Sequence, residues 1–305
     1  MTAPPAPTEA WPALPYAEWK DTLATLHRWV QVAGKVRLAL APPVNHWWHV
    51  TLYVTARGLS TSPMPCGGRE VELIFDFIAH ELRIECSDGS VRVVKLEPKS
   101  VAAFYRETMA ALGELGIDVH VWPMTSEIPD GGRLDEDEAH RSYDAASAHR
   151  FWRALVLSAR VMGEFRGRYL GKASPVHFFW GGFDLASTRF SGREAPPHPG
   201  VPSMPDWITR EGYSHEEWSA GFWPGGEGAE EPIFYAYAYP EPDGFRGAKV
   251  APEAARYDDG LGEHVLPYEA VRTSADPEAA LMAFLQSSYE AAADNGGWDR
   301  KALER

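Results

Sequence analysis

Cysteine, basic residues and long apolar runs are all scarce in this chain, and each shortage removes a class of function. The two cysteines, Cys66 and Cys86, cannot build a disulfide framework and lack metal-ligand spacing. They read as free thiols in a reducing compartment. Lys and Arg number 29 against 43 Asp and Glu, a formal charge of −14. A general nucleic-acid binder needs a cationic surface to release counterions from phosphates, so nucleic acid is not an expected partner. The longest stretch free of formal charge, Leu38 to Ala56, holds Pro42, Pro43, Asn45, His46 and His49, which is wrong for a membrane span. The residues before Lys20 have neither the basic start nor the apolar core of a signal peptide. A cytoplasmic protein with no membrane partner is expected. Catalytic signatures are missing as well. There is no GxxxxGK[ST], no GxGxxG after a strand and no GxSxG, so a P-loop, a Rossmann dinucleotide site and an α/β-hydrolase elbow are not expected.

What is present is an aromatic-rich globular chain, 45% hydrophobic and 24% charged, with 12 tryptophans. Residues 1–10 are Pro/Ala-rich and are expected to be disordered. Trp19, Leu23, Leu26, Val30 and Ala33 recur at helical spacing from Tyr16 to about Leu40, where Pro42-Pro43 stops the helix. His46 to Thr55 is aromatic and β-branched and predicts a strand. Residues 71–78 alternate with period two, and Ser87-Asp88-Gly89-Ser90 marks a hairpin turn between Leu82–Cys86 and Val91–Leu96. Glu97-Pro98 predicts the start of a helix that Gly116 ends. Residues 123–147 carry the run Asp135-Glu136-Asp137-Glu138 and read as an acidic linker. That run lacks the spaced ligands and glycine of an EF-hand. A helix is expected from about Ser147 to Tyr169 and a strand over Val176–Leu185. A long Pro/Gly/Trp insertion follows at 191–231, then a strand over Phe234–Tyr239. Asp276 and Pro277 cap and open the last helix.

Two segments look alike. Val44–Pro65 reads VNHWWHVTLYVTARGLSTSPMP and Pro175–Pro197 reads PVHFFWGGFDLASTRFSGREAPP. Laying His46 on His177 brings Trp47-Trp48 onto Phe178-Phe179 and Lys35 and Arg37 onto Arg166 and Arg168. A one-residue slip brings Arg57 onto Arg189. His49 falls on Trp180, so the copies have diverged. Such self-similarity suggests a duplicated supersecondary unit. The expected fold class is α+β, with two pseudo-repeated helix–antiparallel sheet–helix units over 11–122 and 148–305 packed together. A ligand cleft is expected between them.

GKVRLALAPPVNHWWHVTLYVTARGLSTSP, LEPKSVAAFY, SPVHFFWGGFDLASTRFSGREAPP, YSHEEWSAGFWPG and FYAYAYPEP resemble a family of bacterial proteins of unknown function. The likeness runs from about Trp11 to Trp298. It implies no activity, and no catalytic residue carries over from it.

Three constellations could carry chemistry. The first is histidine: His46, His177 and His215 in acid/base roles, or His46, His49, His177 and His215 as metal ligands. On a regular strand His46 and His49 point to opposite faces, so they converge only if one lies in a loop or bulge. The alternative is imidazoles bonded within an aromatic core. The second is a cationic set, Lys35, Arg37, Arg57, Arg166, Arg168, Arg189, Lys172 and Arg193, of which Arg57, Arg189 and Arg193 are the proposed ligand-holding forks. Ion pairing with the many carboxylates is the competing account. The third is Gly212–Gly226, a pocket wall or a Trp-packed structural loop. Its HEE is not HExxH, and adjacent Ser214-His215 makes no triad.

The expected function is therefore binding, with or without transformation, of a small anionic or aromatic molecule in a His/Arg/aromatic cleft. Trp48, Trp180, Tyr213 and Trp223 would join the cations there. A non-enzymatic interaction or oligomerisation module built on exposed Trp207, Trp218 and Trp223 is the second reading, and a His-ligated metalloenzyme the third. The sequence names no cofactor and leaves a homo-oligomer open.

Overall fold

The computed structural model describes residues 11–129, 131–201, 204–226 and 230–305. The expected disorder of residues 1–10 lies outside them, as does part of the 191–231 insertion. The first helix, α1 (Tyr16–Leu40), spans the expected residues. Six strands follow: β1 (Tyr53–Val54), β2 (Gly58–Ser60), β3 (Met64–Cys66), β4 (Arg69–Asp76), β5 (Glu81–Cys86) and β6 (Val91–Lys95). They form one antiparallel sheet in the order β1-β2-β4-β5-β6, with β3 also paired to β4. Helix α2 (Val101–Glu114) closes this half.

The second half opens with α3 (Ala145–Gly167). Then come β7 (His177–Phe179), β8 (Asp184–Glu194), α4 (Asp206–Gly212), β9 (His215–Trp223), β10 (Ile233–Tyr239), β11 (Arg256–Asp258) and β12 (Glu263–Pro267). The sheet order is β7-β8-β9-β10-β12-β11. Helices α5 (Tyr268–Arg272), α6 (Pro277–Asn295) and α7 (Arg300–Leu303) complete the chain. The fold is α+β with two antiparallel sheets. No helix among the described residues is long and apolar enough to cross a membrane.

The sheets meet at one residue pair. Leu52 and Phe178 exchange both backbone hydrogen bonds, at 2.9 and 2.8 Å, where the edge strands β1 and β7 approach. A single buried apolar cluster draws side chains from both halves. Trp29 of α1 stacks on Phe104 of α2 with centroids 4.8 Å apart. On the other side of α1, the His27 ring meets the Gly181 carbonyl oxygen at 2.8 Å.

Four local expectations change. Asn45–Val50 is a 3-10 segment, not the start of a strand, and His46 and Trp47 within it take left-handed backbone angles (φ 58° and 61°). The aromatic run has β propensity, but the His46 ring bonds the Gly212 carbonyl, and that long-range contact goes with the turn. Helix α2 starts at Val101 rather than at Glu97-Pro98, because the Ser100 hydroxyl caps it by accepting from the Ala103 N–H at 3.1 Å. The strand expected over Val176–Leu185 is a hairpin that turns at 180–183, where Phe183 is left-handed (φ 61°) and buried. The described part of 191–231 is not an irregular insertion. It contains α4 and β9, and β9 lies between β8 and β10.

Strand register also disagrees with the sequence alignment of the two look-alike segments. Tyr53 pairs with Ser60 as Phe178 pairs with Leu185, so the hairpins correspond when Tyr53 is laid on Phe178. Laying His46 on His177 puts Trp47 there instead. His46 sits in the 3-10 segment and His177 in a strand, so the two histidines do not hold equivalent places.

Register sorts the second sheet into two faces. Trp218 and Phe222 of β9 with Phe234 of β10 face the helices, Trp218 meeting Phe165 of α3 and Tyr289 of α6. The opposite face carries Phe190, Glu217, Tyr235, Tyr237 and Tyr239.

Candidate functional site

Where β1 and β7 meet, the chain leaves a cavity of about 290 Å³ between the halves. Arg37, from the end of α1, and Trp48, His49 and Tyr53 line it from the first half. His177 lines it from the second. The cavity has a specific cause. Pro42-Pro43 turns the chain out of α1, and the 3-10 segment then folds back over β7 and β8.

Arg37 is buried, and its Nε has no hydrogen-bond partner. Among the described residues its guanidinium makes no ion pair; the Tyr53 ring lies 5.7 Å away. Burial lowers its pKa, and a buried charge without a counter-ion is costly in a chain this acidic. His177 is 1% exposed, and neither ring nitrogen has a partner. Burial first, then the charges of Arg37 and Arg166, push its pKa down to about 3, so the imidazole is neutral at pH 7. It keeps one N–H donor and one acceptor. The rings of Trp48 and Tyr53 stand edge-on to it at 5.5 and 5.6 Å.

Behind Trp48 lies a second, satisfied group. The His46 Nδ1 lies 2.8 Å from the Gly212 carbonyl oxygen, and the Lys172 ammonium donates to Nε2 at 2.6 Å. The ammonium can only donate, so Nδ1 carries the proton and His46 is a neutral tautomer. Burial lowers its pKa. Its ring lies 5.0 Å from Trp48, 4.8 Å from Phe190 and 5.8 Å from His215. The His215 Nδ1 meets the Ser214 hydroxyl at 3.0 Å. His49 accepts the Val44 N–H at 3.2 Å and packs on Trp47. Among the described residues, no group of three or more His, Cys, Asp or Glu side chains could hold a metal ion.

The structure thus gathers His46, Trp48, His177 and His215 into one neighbourhood but sends the expected arginines elsewhere. Arg57 pairs with buried Asp76 at 2.5 Å. Arg189 is buried with its guanidinium carbon 3.5, 4.8 and 4.5 Å from the ring centroids of Phe165, Tyr169 and Tyr289. Arg193 bonds Glu216 and the carbonyls of Gly296 and Gly297. All three have structural partners. Trp180 donates to the Val50 carbonyl at 2.7 Å and lies over Gly34, fixing the seam rather than lining the cavity. Tyr213 and Trp223 lie outside the cavity lining, with Tyr213 bonded to Tyr237 at 3.1 Å. Arg37 was visible in the sequence as one of several cations. That no carboxylate among the described residues pairs with it was not.

The model of a family of unknown function (DUF5996) matches residues 11–305, so the chain belongs to that family. No curated protein and no solved structure matches it.

Proposed function

We propose that this member of a family of unknown function binds a compact aromatic or planar anion at the seam between its halves. The observation that carries the reading is the pairing of an uncompensated Arg37 with an unbonded, neutral His177 on the wall of one aromatic cavity. A guanidinium fork matches a carboxylate or phosphate, and a neutral imidazole adds one donor without adding charge. Trp48 and Tyr53 offer ring surface to a planar body. At about 290 Å³ the space lies at the small end of ligand pockets, which favours a benzoate-sized molecule. His46 and His215 stand on the far side of Trp48, outside the cavity lining, so His177 is the imidazole that faces the bound molecule.

The interaction-module reading has less support. Trp207 is 60% exposed, but Trp218 is buried against α3 and α6, so no flat patch of Trp207, Trp218 and Trp223 exists. Calorimetric titration with benzoate, phenyl phosphate and cyclohexylamine tests the proposal. Saturable binding of the anions alone, lost in Arg37→Met and in His177→Phe, is expected. Equal heats for wild type and both variants would refute it.

A further inference from the structure

We propose that Lys172 is a nucleophile that condenses with a small aromatic aldehyde to form an imine, at a site independent of the Arg37 cavity. Three parts of the chain build the site on the helix-free face of the second sheet. The β8–β9 register sets Phe190 directly opposite Glu217, so the two side chains stand together on that face. Lys172, from the segment before β7, is held beside them, its carbonyl accepting the Phe190 N–H at 3.0 Å. The 3-10 segment folds over this pair and lays the His46 ring 4.8 Å from the Phe190 ring. The Lys172 ammonium then lies 4.9 Å from the Phe190 centroid and 5.5 Å from that of Trp48.

The hydrogen bonds run in the order that activates a nucleophile: an amine, a base in contact with it, and a third group that orients the base. Lys172 donates to His46 Nε2 at 2.6 Å, and His46 Nδ1 faces the Gly212 carbonyl at 2.8 Å. A proton taken up at Nε2 gives an imidazolium whose other N–H already has its carbonyl acceptor. Among the described residues the Lys172 ammonium makes no ion pair, and burial lowers its pKa, which raises the share of free amine. Glu217 is the second, independent observation. It is 5% exposed, and among the described residues it accepts no hydrogen bond and makes no ion pair. Burial pushes it up to about 8 against the pull of Lys172, so it stands next to Phe190 as a carboxylic acid with a proton to give.

Lys172 is exposed and Trp48 partly so, which leaves the amine open to solvent with a ring beside it for a planar aldehyde to lie against. In the condensation His46 takes one proton from the ammonium. The freed nitrogen lone pair attacks the aldehyde carbon, so the C–N bond forms as the carbonyl π bond breaks. The carbonyl oxygen takes a proton from the Glu217 carboxyl, and the nitrogen returns one to the resulting carboxylate. The hydroxyl of this carbinolamine then leaves as water with the proton stored on His46. The products are a protonated imine and one water, and both side chains end as they began.

The test is reductive trapping. The full chain is treated with benzaldehyde and sodium cyanoborohydride at about pH 7.5, and peptide mass spectrometry locates and times the benzylated lysines. Lys20, Lys249 and Lys301 are exposed and serve as comparisons within the same molecule. Lys172 is expected to react at least about ten-fold faster than any of them, a conservative share of the gain that a positioned acid and base supply. His46→Asn keeps a residue that tolerates the left-handed turn and should bring Lys172 down to the rate of the exposed lysines. Glu217→Gln should slow Lys172 about ten-fold and leave the other three unchanged. Equal rates at Lys172 and the three comparison lysines overturn the proposal in the wild-type chain alone, whether or not the variants fold. An undiminished Lys172 rate in folded His46→Asn also overturns it, because a lysine that merely fastens the 3-10 segment owes its reactivity to no base.

Discussion

Replacing Arg37 with methionine should stabilise the fold while abolishing anion binding. Arg37 is 8% exposed, and its Nε is enclosed without a partner. Relieving one orphaned buried donor returns about 1–3 kcal/mol. The substitution also loses a cation–π contact with Tyr53 at 5.7 Å, worth about 0.5–1 kcal/mol. Methionine retains most of the apolar stem that packs at the end of α1. The balance is a gain centred near about 1 kcal/mol and no larger than about 2.5 kcal/mol, or a rise in Tm of about 2 °C for a chain of this size. Differential scanning calorimetry without ligand reads the first quantity, and titration with benzoate reads the second. A residue kept for the fold behaves oppositely. If Arg37→Met lowers Tm by more than about 2 °C, the arginine is structural and the seam argument falls.

Four further outcomes are expected. Glu217 has a folded pKa near 8, above that of the unfolded chain, so its contribution is fully present at low pH and is lost as pH rises towards 8. Glu217→Gln should therefore raise Tm at pH 8 and change it little at pH 5, as thermal melts across that range would read. His177 and His27 are depressed to about 3 and 4, so stability falls as pH drops below about 6.5, with a slope of up to about 1.4 kcal/mol per pH unit for each. Acid titration followed by near-UV circular dichroism tests this, and His177→Phe should flatten it. Gly221→Ala drives a methyl to 2.3 Å from the Leu185 carbonyl oxygen, so a loss of about 1–3 kcal/mol is expected in denaturant melts. Asp276→Ala removes the cap that accepts the Ala279 N–H at 3.0 Å and should cost about 1 kcal/mol in the same assay.

Features written locally were legible in the sequence. Helix α1 is bounded by apolar periodicity and a double proline, the β5–β6 hairpin by Asp88-Gly89, and α6 by Asp276-Pro277. Features that depend on distant partners were not. Arg57 and Arg37 look equivalent in sequence, but Asp76 reaches the first, and among the described residues no carboxylate pairs with the second. The His46 run has every local mark of a strand and lost it to contacts with Gly212 and Lys172, more than a hundred residues away. The polar face of β9 is written locally in the sequence. Glu217, Ser219 and Gly221 alternate with Trp218, Ala220 and Phe222, a period-two pattern that marks one polar and one apolar face. Of those polar positions Ser219 bonds Thr188 at 3.0 Å, and Glu217 makes no hydrogen bond among the described residues.

Because Leu52 finds its backbone partner only at Phe178, the order of synthesis matters to this chain. When α2 has been made, the first sheet still has β1 as an open edge, and an open edge is a template for pairing with any other extended chain. Domains emerge and fold from the N-terminal side, so this half waits for α3 and β7 before it is sealed. A fragment cut within 123–147 would present that edge permanently, along with the apolar flank of α1 that the second half covers. Such a fragment would be a seed for aggregation rather than a small stable domain, and co-expressing the two halves as separate chains should rescue both.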